Sequence, residues 1–230
     1  MEAIILAGGF GTRLRAVVPD VPKPMAPIGE RPFLEILLSQ LARAGFQRVV
    51  LALGYKAEMI QEHFGSDYAG MKLVYAIENK PLGTGGAIRQ ALEYCLADHV
   101  FIFNGDTYLA LEVSQVEACW QQFRDPIIVA RPVLDTTRYG RVESELGRFI
   151  GFSEKGTGGP GLINAGCYIF PQTLLNAFET GRPFSLETDF LAQVAREIDF
   201  RVFVTEGHFI DIGVPEDYVR AQTELRKFVR

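Results

Sequence analysis

Nothing in the 230-residue sequence is apolar for the ~18 residues that a bilayer-spanning helix requires, and Met1 leads straight into an apolar segment without a basic n-region or cleavage site. A cytoplasmic protein with no membrane partner is expected. Cysteine is scarce: Cys95, Cys119 and Cys167 are far apart in apolar contexts, which excludes a disulfide framework and metal-ligand spacing and leaves them as small core residues. The three histidines, His63, His99 and His208, form no Cys/His cluster for zinc; His63 and His99 flank elements and are expected to be partly exposed. There is no basic run and the formal net charge is −5, which argues against a nucleic-acid surface, although an acidic protein can still hold a positive pocket. Two common phosphate fingerprints are also missing. The third glycine of a dinucleotide fold, counted from Gly9 and Gly11, falls on Leu14, and Gly11 is followed by Thr12-Arg13 where a P-loop needs Lys-Ser/Thr.

What the sequence does have is LAGGFGTRLR from Leu6 to Arg15, followed by Pro22-Lys23-Pro24-Met25. A glycine-rich turn leaving a hydrophobic strand presents bare backbone N–H groups, and Arg13 and Lys23 add two cations, a combination suited to a polyphosphate. A glycine-rich turn alone is ordinary loop chemistry; the added cations at this spacing distinguish this one.

Hydrophobic content of 48% supports a substantial core, and the length fits one domain spanning residues 1–230. Helical periodicity at Pro32 to Arg43, Ala57 to Phe64, Gly86 to Leu96 and Val113 to Phe123 alternates with apolar runs at Ala3 to Leu6, Val49 to Leu53, Leu73 to Ile77, Val100 to Phe103 and Ile127 to Ala130. This alternation predicts an α/β fold: a Rossmann-like, mostly parallel sheet with helices on both faces. Ligands then belong at the carboxyl ends of the strands, where the glycine-rich loop and Asn104-Gly105-Asp106 both fall. Shorter strands at Gly140 to Glu143, Phe149 to Ser153 and Ile163 to Phe170 predict a subregion packed on the sheet, with the glycine run from Gly156 to Gly161 as a mobile loop. Strands at Phe200 to Val204 and Phe209 to Ile212 and a helix from Pro215 complete the pattern, and no hexapeptide repeat follows.

Asp106 at the open end of a central strand suits Mg²⁺ if a second acid joins it, because Mg²⁺ prefers a few carboxylates plus water and substrate phosphates. Asp211, embedded in an apolar strand, is the candidate, since a mere solvated charge does not belong there. Asp106 alone reads equally well as a turn residue. Gly83, Gly85 and Gly86 exceed what a helix cap requires and would let backbone approach a ligand.

These motifs, in consistent order from Ala3 to about Tyr218, resemble the sugar-phosphate nucleotidylyltransferases, which have the nucleotide-diphospho-sugar transferase fold. The resemblance implies transfer of a nucleoside monophosphate from a nucleoside triphosphate to a sugar 1-phosphate, with Mg²⁺ as cofactor and a possible homo-oligomer. It assigns catalysis to Arg13, Lys23 and Asp106, and metal binding to Asp106 and Asp211. Nucleotide binding falls to Leu6, Ala7, Gly8, Gly9, Gly11, Thr12, Gly83 and Gly85. Gly140, Glu154, Lys155 and Asn164 are assigned to the sugar phosphate side, where Glu187 could assist or simply be a first-turn helix charge. Within the family, similarity over the whole chain implies GTP and D-glycero-α-D-manno-heptose 1-phosphate; the alternative is a hexose or N-acetylmuramate 1-phosphate with UTP or another nucleotide. A nucleotide sensor that has lost the chemistry would not need Arg13, Lys23, Asp106 and Asp211 together.

Overall fold

Three successive apolar residues, Ala3 to Ile5, can be buried on both faces only in the middle of a covered sheet, and they lie at the centre of a ten-stranded one in this computed structural model, which describes residues 1–14, 17–153, 158–194 and 197–226. In chain order the strands are β1 (Glu2–Leu6), β2 (Pro27–Ile28), β3 (Arg31–Pro32), β4 (Arg48–Leu53), β5 (Asp67–Tyr68), β6 (Met71–Ile77), β7 (His99–Asn104), β8 (Thr107–Leu109), β9 (Ile127–Val133), β10 (Arg141–Glu145), β11 (Arg148–Ser153), β12 (Gly161–Pro171), β13 (Arg201–Val204) and β14 (Phe209–Asp211). The helices are α1 (Phe33–Arg43), α2 (Ala57–Phe64), α3 (Gly83–Leu92), α4 (Val113–Phe123), α5 (Ala192–Val194) and α6 (Pro215–Glu224).

The large sheet runs β10-β11-β13-β9-β12-β7-β1-β4-β6-β5. Strands β7, β1, β4 and β6 are parallel, as the βαβ pattern predicts. The sequence reading differs from the structure at β12, which lies antiparallel between β7 and β9 and makes the sheet mixed. Because β12 reverses direction, β9 runs the same way as β7. The loops leaving β1, β4, β7 and β9 therefore emerge at one end. The expected subregion of short strands is continuous with the sheet through β12, and β10 also pairs with β12.

Residues alternating along the strands divide the core. Ala3, Ile5, Leu51 and Phe101 face α1, α2 and α4, whereas Ile4, Val50 and Ile102 pack with Ile88 and Ala91 of α3 and with Phe184, Leu186 and Phe190. A third cluster joins Leu14, Ile28, Phe33 and Leu37 to Tyr108, Ile210, Ile212 and Tyr218. Each such fully buried side chain stabilises the fold by roughly 1.5–3 kcal/mol. This last cluster has a functional consequence, since it ties the loop after β1 to β14 and α6.

Two local expectations need correction. The third helix covers Gly83–Leu92, not Gly86 to Leu96; the segment after it is a turn, and Leu96 is exposed. His99 is buried, not partly exposed: its ring stacks on Trp120 at 4.9 Å, with Nδ1 at 2.5 Å from Asp98 Oδ1 and Nε2 at 2.9 Å from Glu117 Oε2. Of the glycine run, residues 156–157 lie outside the described residues and Gly161 begins β12.

Candidate active site

Gly8, two residues beyond β1, leaves room for a side chain only if a neighbouring acid shifts. A Cβ on Gly8 would lie 3.1 Å from Glu78 Oε1, and one on Gly54, after β4, would lie 2.7 Å from the same atom. Glycine at the ends of two adjacent strands thus makes room for the Glu78 carboxylate, whose Oε2 accepts the Leu82 N–H at 3.0 Å. Burial holds Glu78 above the usual carboxylate range, and the Leu82 N–H opposes that shift.

The loop then passes over a cleft of about 320 Å³ lined by Leu6, Ala7, Gly8, Gly9 and Phe10, by Lys23, by Glu78, Gly83 and Thr84, and by Asn104 to Asp106. Gly11 has φ +59°, and a Cβ there would meet Lys23 Cβ at 2.9 Å, so glycine serves both the turn and the approach of Lys23. Leu14 is buried and anchors the loop, while Thr12 and Arg13 are exposed.

The Lys23 ammonium forms an ion pair with Asp106 Oδ2. Asp106 occupies the turn between β7 and β8, and β8 pairs antiparallel with β14 so that Thr107 is opposite Asp211. The Ile212 N–H donates to the Asp106 carbonyl at 2.9 Å. Two acids remote in sequence are thereby brought side by side. Burial first, and then the charge of Asp106, holds Asp211 above the usual carboxylate range; Lys23 and the Gly213 N–H at 2.6 Å oppose this. A pair of neighbouring carboxylates of this kind suits a hard cation. Among the described residues no group of three or more His, Cys, Asp or Glu is placed to hold a metal ion.

The sugar-side expectations are brought together only in part. Asn164 and Gly166 form a bulge in β12 where its register with β9 shifts, and a Cβ on Gly166 would meet Asn104 Nδ2 at 2.7 Å, so the bulge abuts a cleft-lining residue. Asn164 Nδ2 donates to the Tyr168 hydroxyl at 2.5 Å, and the charge of Glu187 reaches that same hydroxyl. Glu187 Oε2 accepts from Thr84 Oγ1 at 2.9 Å and Ser185 Oγ at 3.1 Å, which links it to the cleft. Gly140 precedes β10 and does not line the cleft; Glu154 and Lys155 lie outside the described residues. Gly85 is turned away from the cleft: a Cβ there would strike the Phe184 ring at 2.1 Å, so this glycine serves packing.

Gly83, Gly85 and Gly86 are singled out from the sequence, but their neighbours Glu78 and Thr84 are not. Their signal was visible, because an acid directly before such a turn lies at a strand end. Arg138 and Asp217, which meet at 2.5 Å, carried no such signal.

Comparison with known proteins agrees with this geometry. A family model described as nucleotidyl transferase matches residues 2–227. The D-glycero-alpha-D-manno-heptose 1-phosphate guanylyltransferase of Aneurinibacillus thermoaerophilus is 41% identical over 230 residues, covering 100% of both chains. The enzyme of the same name from Campylobacter jejuni is 40% identical, over 95% of this chain and 97% of its own. The crystal structure of HddC from Yersinia pseudotuberculosis superposes with a TM-score of 0.88 at 39% identity, covering 98% of this chain and 99% of that one, and its complex with GMP-PN gives 0.87. A glycine-rich cleft at the strand ends, Lys23 and Asp106 within it with Asp211 beside them, and likeness along the entire chain lead to one conclusion: the protein belongs to the nucleotidyl transferase family.

Proposed function

We propose that this protein transfers GMP from GTP to D-glycero-α-D-manno-heptose 1-phosphate, forming the GDP-sugar and releasing pyrophosphate, as a cytoplasmic enzyme. The observation that carries the reaction type is the convergence of Lys23, Asp106 and Asp211 beside the glycine-rich loop. For the substrates, the support is full-length likeness to two curated heptose 1-phosphate guanylyltransferases. Glu78 in the cleft wall supports the base: a carboxylate only accepts, and the edge of guanine offers adjacent N–H donors.

An oxygen of the sugar 1-phosphate attacks the α-phosphorus in line, forming a new P–O bond as the bond to the β-phosphate breaks and its electrons leave with pyrophosphate. The nucleophile needs no general base, because the second pKa of a phosphate monoester is about 6. What remains is positioning and charge neutralisation. Backbone N–H groups of Gly8 to Gly11 and the Lys23 ammonium hold the nucleotide phosphates, Arg13 neutralises the departing pyrophosphate, and Lys155 takes the sugar phosphate. Asp106 and Asp211 would hold Mg²⁺, which supplies charge neutralisation at the reacting phosphates.

A matrix of nucleoside triphosphates against sugar 1-phosphates, read by pyrophosphate release, tests the proposal. GTP with the manno-heptose 1-phosphate is expected to be the best pair, with mannose 1-phosphate slower. A preference for UTP or CTP would overturn the guanylyl assignment, because a site that hydrogen-bonds one base leaves its polar groups unpaired against another.

A further inference from the structure

Asp217, in the first turn of α6, is almost wholly buried, with 4% of its side chain exposed, yet two guanidinium groups reach it. Arg138 Nη2 donates to Oδ2 at 2.5 Å and Arg220 Nη1 to Oδ1 at 2.8 Å. One cation would suffice to neutralise it. Arg220 also bonds Glu224 Oε1 at 3.0 Å, so its charge is matched within α6 and Asp217 keeps a partner without Arg138. Arg138 comes from 79 residues away, on the loop between β9 and β10 that leaves the sheet at the cleft end.

That loop is already docked without an ion pair, since the Tyr139 ring stands edge-on to Phe209 of β14 at 6.1 Å. Nor is a buried ion pair by itself an effective stabiliser, because desolvation offsets the attraction. The rest of the arginine suggests another use. Its side chain is 53% exposed, only Nη2 is hydrogen-bonded among the described residues, and the guanidinium lies over the Tyr139 ring, 5.6 Å from its centroid, the same ring that meets Phe209 of β14. A guanidinium has five N–H donors in a rigid fork. Here one arm is fixed by a buried acid, and the others remain available beside the strand that carries Asp211.

We infer that Arg138 binds the phosphate of the incoming sugar 1-phosphate and that Asp217 is its positioning residue. The inference rests on the reaction proposed above, in which one anion must be carried up to another. The planar fork matches two phosphate oxygens at once, which a lysine cannot do. Anchoring by Asp217 removes the rotamer freedom that a half-exposed arginine would otherwise lose on binding.

Steady-state kinetics with both substrates varied give the test. Arg138→Ala is expected to raise the KM for the sugar 1-phosphate about 10- to 100-fold while leaving that for GTP within about 2-fold. Arg138→Lys should recover part of the loss, and methylguanidine added to Arg138→Ala should restore rate saturably. Asp217→Asn should move the sugar KM in the same direction. An unchanged sugar KM in a folded Arg138→Ala protein, or an equal rise in both KM values, overturns the inference. Absence of turnover by the wild type with every substrate pair would instead overturn the reaction itself. Calorimetric binding of the sugar 1-phosphate to wild type and Arg138→Ala needs no turnover and then decides the inference alone: equal affinities, or no binding to either, sink it.

Discussion

Glu78 and Asp211 are both held above the usual carboxylate range, but for different reasons. Glu78 is raised by burial alone, whereas Asp211 is raised by burial and by the adjacent charge of Asp106. For Glu78 the stability consequence has a definite sign. An acid with a raised folded pKa keeps its proton longer in the folded state, so stability is fully present below the unfolded value and is lost as pH rises through the folded one. Glu78→Gln is therefore expected to gain in melting temperature relative to wild type on going from pH 4 to pH 7, measured by thermal unfolding at both. A constant difference would show that burial of this carboxylate costs nothing. At the proposed metal site, Asp106→Asn and Asp211→Asn should each reduce turnover on the order of 100-fold or more with circular dichroism unchanged. Unaltered Mg²⁺-dependent activity in both would remove the metal assignment. Asp106 and Lys23 were legible in the sequence because each sits in a short motif with its own logic. The Arg138–Asp217 pair was not, because its partners are far apart in the chain and neither is unusual alone.

At the scale of elements, periodicity identified most strands and helices, with ends shifted by a few residues. The sequence reading did not anticipate the antiparallel course of β12, since an apolar run such as Ile163 to Phe170 looks the same in either direction and only its neighbours decide. Glycines show a similar ambiguity. Gly9 and Gly85 both stand in glycine-rich turns and both were assigned to nucleotide, yet nothing lies within 4 Å of a Cβ built on Gly9, while one on Gly85 would overlap the Phe184 ring. Gly85→Ala should therefore destabilise the fold by about 1–3 kcal/mol, through displacement of Phe184 from α3. Gly9→Ala should leave the melting temperature unchanged and raise the KM for GTP, because its methyl group would enter the cleft. If the two variants reversed these effects, the assignment of Gly85 to packing and Gly9 to ligand would be wrong.

At the scale of the whole molecule, the site and the large sheet both draw on early and late parts of the chain. The cleft draws Gly8 from the end of β1, Glu78 from the end of β6 and Asp106 from the end of β7. The neighbouring Asp211 comes from β14, near the other end of the chain, and the third hydrophobic cluster joins its strand to the loop after β1. The late strands are likewise continuous with the early ones through β12, which pairs with both β7 and β9. No division of the chain leaves either part with a complete cleft or an intact sheet. We propose on this ground that the chain is one domain, which should unfold in one transition, with coincident curves by circular dichroism and tryptophan fluorescence. Ligand then acts on the entire transition: GTP with Mg²⁺ at about 100 times its Kd stabilises by about 2.7 kcal/mol, which for a chain of this size is a rise in Tm of roughly 5–10 °C. Omitting Mg²⁺ should remove much of that rise, because the carboxylates of Asp106 and Asp211, proposed above to hold it, would then repel the nucleotide phosphates. Two separate transitions, of which GTP shifts only one, would show instead that the β9–β13 half folds on its own and that the single-domain reading fails.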